Sequence, residues 1–215
     1  MIQQYLSRLA QRQIVLASGS PRRKKILSNV GLIVKAVPST FEENLELSDF
    51  SSVHEFAVET ARCKALEVWN RLKISKVKPD LIISADTVVY FAGEVFPKPR
   101  FKEKAVGILE KLSGQTHKVV TGVALVIVDY SKEEIEFEVK TFYEETEVEF
   151  CELSPEMIRT YVETNEPLDK AGGYAIQGVG GTFVQSIHGD YFNVVGFPLH
   201  KFCCEIYKLC SENLL

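Results

Sequence analysis

Ser18-Gly19-Ser20-Pro21-Arg22-Arg23 puts two hydroxyls, a helix-starting proline and two guanidinium groups within six positions. Ser20 suits a helix N-cap and Pro21 a first helical position, so the unpaired N–H groups of a new helix point back into the turn. Arg22 and Arg23 then stand where the helix dipole is already positive, an unfavourable placement that an anion would resolve. Phosphate matches these forked donors. The plainer alternative is a solvated basic helix face behind a core strand. The second Gly and Lys-Ser/Thr pair of a Walker loop are absent from this stretch.

Asp86 is the strongest acid–base candidate. It follows the apolar run Leu81-Ile82-Ile83, and burying a carboxylate there is costly without a metal or a donor nearby. Such a group can ligate Mg²⁺ or Mn²⁺ through oxygen, or accept a proton from an attacking water; otherwise it is a capping or turn aspartate. Lys98 lies between Pro97 and Pro99, which restrict the backbone on both sides. A point charge on a stiff loop suits phosphate, and an incidental charge on a braced loop is the other reading. By residue chemistry alone Lys64 is a solvated helix lysine, and Glu42 and Glu43 are solvated loop carboxylates. His54, His117, His188 and His200 are scattered singly, and the five cysteines lack paired spacing, so neither a zinc cluster nor a serine triad is expected.

Positioning these groups requires alternating strands and helices. Ile14 to Ala17 reads as a buried strand, Leu32 to Val37 as a second, and Pro38 to Asp49 as a polar loop carrying Glu42 and Glu43. Ser52 and Glu55 form a capping-box pattern opening a long helix to about Leu72, with Phe56, Leu66 and Trp69 as core candidates. Leu81 to Ser84 is a buried strand delivering Asp86 to its C-terminal end, and Ala92-Gly93 joins Val88 to Phe91 with Val95-Phe96 as a hairpin. Lys102 to Leu112 is an amphipathic helix stopped at Gly114. Val119 to Val128 and Ile135 to Phe150 form a long antiparallel pair around Asp129 to Glu133. A helix follows Ser154-Pro155, then a flexible turn at Gly178 to Gly181, short strands at Thr182 to Ile187 and Tyr191 to Val195, and a closing helix from Pro198 to Leu209. The fold class expected is α/β with a mixed sheet.

Five segments in order resemble the Maf family of nucleoside triphosphate pyrophosphatases. They are Ser18-Gly19-Ser20-Pro21-Arg22-Arg23, Ser84-Ala85-Asp86-Thr87-Val88-Val89, Gly93-Glu94-Val95-Phe96-Pro97-Lys98-Pro99, Leu112-Ser113-Gly114-Gln115-Thr116-His117 and Glu166-Pro167-Leu168-Asp169-Lys170-Ala171-Gly172-Gly173-Tyr174-Ala175-Ile176-Gln177-Gly178. The resemblance implies an elongated twisted sheet flanked by helices, in one domain over residues 1–215 with two lobes and a cleft, akin to the inosine triphosphatase fold. It implies hydrolysis between the α- and β-phosphates, with Asp86 as proton acceptor and Glu43 beside it as a ligand for Mg²⁺ or Mn²⁺, although Glu42 is adjacent. Ser18, Ser20, Arg23, Lys64 and Lys98 would cradle phosphates. His117 would have a structural hydrogen-bonding role, and Gly172 and Gly173 would permit close backbone approach. Arg22, Thr87 and Gln177 match the branch similar to dTTP/UTP pyrophosphatases, in contrast to the 7-methyl-GTP branch with Trp at the first of these places. The amide of Gln177 can satisfy part of a uracil or thymine edge. Pro97 departs from the small or charged residue common in relatives. A homodimer is implied too.

Composition narrows the classes further. With 215 residues, 46% of them hydrophobic, the chain can bury a substantial core, and its net charge of −4 argues against a nucleic-acid surface. The sequence contains no apolar run of membrane-spanning length and no signal-peptide pattern near its start, so a cytoplasmic protein with reduced thiols and no membrane partner is expected. Two other functions fit parts of the pattern: a nucleotide-binding regulator weak in catalysis, and a house-cleaning enzyme for modified nucleotides.

Overall fold

The computed structural model describes residues 2–131 and 134–215. Among these the strands are β1 (Ile14–Leu16), β2 (Lys35–Ala36), β3 (Leu81–Phe91), β4 (Glu94–Phe96), β5 (Thr116–Asp129), β6 (Glu136–Phe150) and β7 (Val184–His188). The helices are α1 (Leu6–Leu9), α2 (Pro21–Asn29), α3 (Val53–Leu72), α4 (Lys102–Leu112), α5 (Pro155–Glu163), α6 (Tyr191–Val195) and α7 (Leu199–Ser211). Strand order is β2-β1-β3-β5-β6-β7, with β4 paired to β3. β1 runs parallel to β2 and β3, whereas β4 is antiparallel to β3 and β7 to β6. The fold is therefore α/β with a mixed sheet, as the sequence predicts.

The chain divides into two compact units: the described parts of Met1–Asp86, Thr121–Tyr143 and Gly196–Leu215, and the segments Thr87–Val120 and Glu144–Val195. In the first, Ala57, Ala61 and Ala65 recur every four residues along α3 and are fully buried. This stripe of small residues brings the helix backbone onto β5. A Cβ on Gly122 would stand 2.3 Å from the Ala57 carbonyl carbon, so only glycine fits there. Val15, Ile82, Trp69 and Val126 complete this core.

The second unit packs α4 and α5 with the β3–β4 hairpin around Phe96, Phe150, Tyr161 and Tyr174. Ala92 (φ 51°) and Gly93 (φ 84°) both adopt the left-handed conformation that a tight two-residue hairpin needs, and Val89 pairs with Phe96 across it. His117 is buried in this core, its Nε2 2.9 Å from the Tyr174 hydroxyl and its ring edge-on to Phe150. Burial pushes its pKa down to about 4.

Several expectations are corrected. The strand bearing Asp86 does not end at Ser84; β3 continues to Phe91, because β-branched Thr87, Val88 and Val89 extend it and a lysine partners the carboxylate. Leu32 to Val37 is strand only at Lys35–Ala36, which are exposed. Tyr191 to Val195 is a helical turn, because the Asp190 carboxylate accepts from Phe192 N at 2.8 Å and buried Asn193 donates to the Val119 carbonyl at 2.9 Å. Ser52 caps α3 by accepting from Glu55 N, but the Glu55 carboxylate accepts from Ser51 instead of closing the box on Ser52. Residues 132 and 133 of the turn expected around Asp129 to Glu133 lie outside the described residues. No helix of the described residues is long and apolar enough to cross a membrane.

Candidate active site

The basic turn forms as its residues dictate. Pro21 opens α2 and Ser20 Oγ accepts from Arg23 N at the helix start, while Ser18 Oγ accepts from Ser20 N at 3.2 Å. Arg23 folds back over this turn. Its Nε donates to the Gly196 carbonyl at 2.9 Å and a terminal N–H donates to Ser18 Oγ at 3.2 Å. Burial lowers the Arg23 pKa, with Arg22 pulling the same way and Asp86 and Glu43 opposing them. Arg22, one residue earlier on α2, is half-buried.

Period-two alternation along β3 puts Asp86 on the same face as Ile82, which packs with Ala61 and Ala65 of α3. From that helix Lys64 reaches across: its ammonium is 2.7 Å from Asp86 Oδ1 and 2.5 Å from Glu43 Oε1. The side chains of Lys64 and Asp86 each keep only 13% of their surface exposed. Lys64 is thus no solvated helix lysine. Of the two adjacent glutamates, Glu43 is the one whose carboxylate meets Lys64. Asp86 Oδ2 receives no hydrogen bond among the described residues. The first unit therefore gathers Ser18, Ser20, Arg23, Glu43, Lys64 and Asp86.

Glu43 and Asp86 offer hard carboxylate oxygens that share one ammonium, a donor set that suits a divalent cation bound largely through substrate phosphates and water. Among the described residues no group of three or more His, Cys, Asp or Glu side chains is placed to form an all-protein metal site.

Thr87, Lys98 and Gln177 belong to the second unit. Thr87 is half-buried on β3, and Lys98 is exposed between exposed Pro97 and buried Pro99. Gln177 is exposed in a turn closed by Gly178 N donating to the Ala175 carbonyl at 3.0 Å. Gly172 and Gly173 both have φ 69°, and a Cβ on Gly172 would stand 2.6 Å from Val89 Cγ2. At Gly172 the close approach is thus to the chain's own β3.

Sequence reading missed Glu166 and Tyr161. The expected flexible turn at Gly178 to Gly181 is a 3₁₀ segment, Val179–Phe183, tied down by the Glu166 carboxylate. A clue was available: an acid upstream of a Gly-rich run suits capture of backbone N–H groups. Twelve intervening residues hid it.

The Maf-like protein family matches residues 13–209 of the chain. A human protein named "Probable bifunctional dTTP/UTP pyrophosphatase/methyltransferase protein" is 48% identical over 205 residues, which cover 95% of this chain and 33% of that one. The chain thus spans about a third of the human relative. The dTTP/UTP pyrophosphatase of Clostridium tetani is 43% identical over 198 residues, 92% of this chain and 96% of its own length. That of Thermococcus onnurineus is 45% identical over 186 residues, 86% and 92% of the two chains. With the turn, the Lys64–Asp86 pair and a match over nearly its whole length, the chain belongs to the Maf family.

Proposed function

We propose that this chain hydrolyses nucleoside triphosphates between the α- and β-phosphates, with dTTP and UTP preferred, releasing the nucleoside monophosphate and pyrophosphate. The observation that carries the reading is the Lys64–Asp86 pair at 2.7 Å, in the same unit as the Ser18 to Arg23 helix start and in a chain similar to proteins named dTTP/UTP pyrophosphatase. Phosphoryl chemistry asks for little beyond positioning, charge neutralisation and an activated water.

Asp86 Oδ2 accepts a proton from the attacking water as its oxygen bonds to the α-phosphorus and the bond from that phosphorus to the bridging oxygen breaks. Lys64, 2.7 Å from Asp86 Oδ1, keeps Asp86 oriented and supplies positive charge to the phosphates. Arg23, held through Nε to the Gly196 carbonyl and through a terminal N–H to Ser18 Oγ, brings its guanidinium charge to the phosphates at the helix start. Glu43 and Asp86 would hold Mg²⁺ or Mn²⁺, which offsets charge on the polyphosphate when bound. In this proposal Lys98 contacts phosphate, and Arg22, Thr87 and Gln177 read the base. The homodimer and the cytoplasmic location belong to the same proposal.

The test follows pyrophosphate release by purified protein from natural and modified nucleoside triphosphates, with each metal and with chelator. The expected result is metal-dependent turnover, fastest on dTTP and UTP. Nucleotide binding without turnover would leave a regulator, and faster turnover of modified nucleotides a house-cleaning enzyme. Sedimentation reads the dimer.

A further inference from the structure

The half-buried carboxylate of Glu166 collects three donors from the chain. Oε1 accepts from the Tyr161 hydroxyl at 2.8 Å and from Gly180 N at 3.0 Å, and Oε2 accepts from Val179 N at 3.0 Å. Burial opposes ionisation, but these donors outweigh it and hold the Glu166 pKa below the usual carboxylate range. Tyr161 is itself anchored in the core, 2% exposed, with its ring edge-on to Phe183. The arrangement leaves no room for a side chain at Gly178, where a Cβ would stand 2.3 Å from Glu166 Oε2. Gln177, directly before that glycine, is exposed, and its amide makes no hydrogen bond among the described residues.

A rigid backbone carrying an unspent amide is the design of a recognition element. An amide discriminates between bases only if its own position is fixed, since a mobile one reorients to satisfy either pattern. The sequence around Gln177 is rich in glycine and would not hold still by itself. We propose that Glu166 is a positioning residue for base recognition: anchored by Tyr161, it clamps the backbone N–H groups of Val179 and Gly180 and so fixes the point from which Gln177 meets the base. The inference rests on the nucleotide pyrophosphatase reading above, and the role it gives Glu166 acts through Gln177 rather than through contact with substrate or metal.

The test is a double-mutant cycle on the full chain with Glu166→Gln and Gln177→Ala, reading kcat/KM for dTTP and ATP. Backbone amide exchange at Val179 and Gly180 gives a readout that does not depend on activity. Glu166→Gln keeps one acceptor but turns an NH₂ toward a backbone donor, so exchange of Val179 and Gly180 should accelerate. The dTTP-to-ATP ratio should fall about fivefold, through KM more than kcat. In the Gln177→Ala background the same substitution should leave the ratio unchanged, because the residue through which it acts is gone. Tyr161→Phe, which removes only the anchoring hydroxyl, should give a smaller change of the same kind. An undiminished Glu166→Gln effect on the ratio in the Gln177→Ala background overturns the positioning role alone, as does unchanged amide exchange. A wild-type enzyme that does not discriminate between dTTP and ATP overturns the base reading, and this role with it.

Discussion

Lys64 in the first unit and Glu166 in the second are both ions held by several partners, but the partners differ in kind. The Lys64 ammonium faces two carboxylates, Asp86 and Glu43, and the latter's side chain is 61% exposed on a loop. The Glu166 carboxylate faces two backbone N–H groups and a phenol anchored in the core. Ion pairs of the first kind answer to any charge that arrives, whatever it is attached to, because Coulomb attraction has little directional demand. Hydrogen bonds of the second kind fix geometry and discriminate by shape and donor pattern. The difference is one between a contact that any charge can satisfy and one that fixes a backbone, and under the proposed function it assigns phosphate chemistry to the first and choice of base to the second.

The sharpest way to break this comparison is Asp86→Asn. It keeps size and one hydrogen-bond acceptor for Lys64, so folding should survive while turnover falls about a hundredfold or more on every nucleotide. Near-normal turnover at saturating metal, with an unchanged melting profile, would remove Asp86 from the proton-acceptor role.

A stability measurement sharpens the second unit. His117 is neutral in the fold with its pKa lowered from 6.5 to about 4, so below 6.5 the unfolded chain binds a proton that the folded chain refuses. Stability should fall as pH drops from 6.5 toward 4, by about 3 kcal/mol in all. His117→Gln should flatten that dependence in urea titrations taken across the window; an unchanged slope would show that other groups carry it.

Smaller effects separate the two regions directly. Arg23→Ala and Lys98→Ala should each cost about 2 kcal/mol in kcat/KM, equally for pyrimidine and purine substrates, since phosphates are common to both. A loss confined to one base would place either residue in the wrong subsite. Gln177→Ala should instead narrow the preference for dTTP and UTP by about tenfold, the scale of one unpaired polar group, and leave metal affinity in calorimetry unchanged. Equal wild-type efficiencies on purines and pyrimidines would sink the base preference while leaving the pyrophosphatase reading standing.

Much of this was legible in the chain because it is local. The Ser20 cap, Pro21, the Ala92-Gly93 hairpin and the Gly114 stop depend on φ/ψ preferences of a few adjacent residues, and each appears where its chemistry demands. Errors gathered where long-range partners overruled local pattern. Tyr191 to Val195 looks β-branched enough for a strand, yet Asp190 and buried Asn193 make it helical. Asp86 looks like a strand terminus, yet a lysine 22 residues away lets β3 run on.

The sequence by itself determined the α/β class, the capped helix start at Ser20-Pro21 and the identity of the charged residues, because residue type and short spacing encode them. Tertiary structure alone decided that Lys64 leaves solvent to hold Asp86 and Glu43, and that Glu166 pins the backbone after Gln177. Contacts made across 22 and 13 residues depend on how helices and strands pack, and no local preference records that packing.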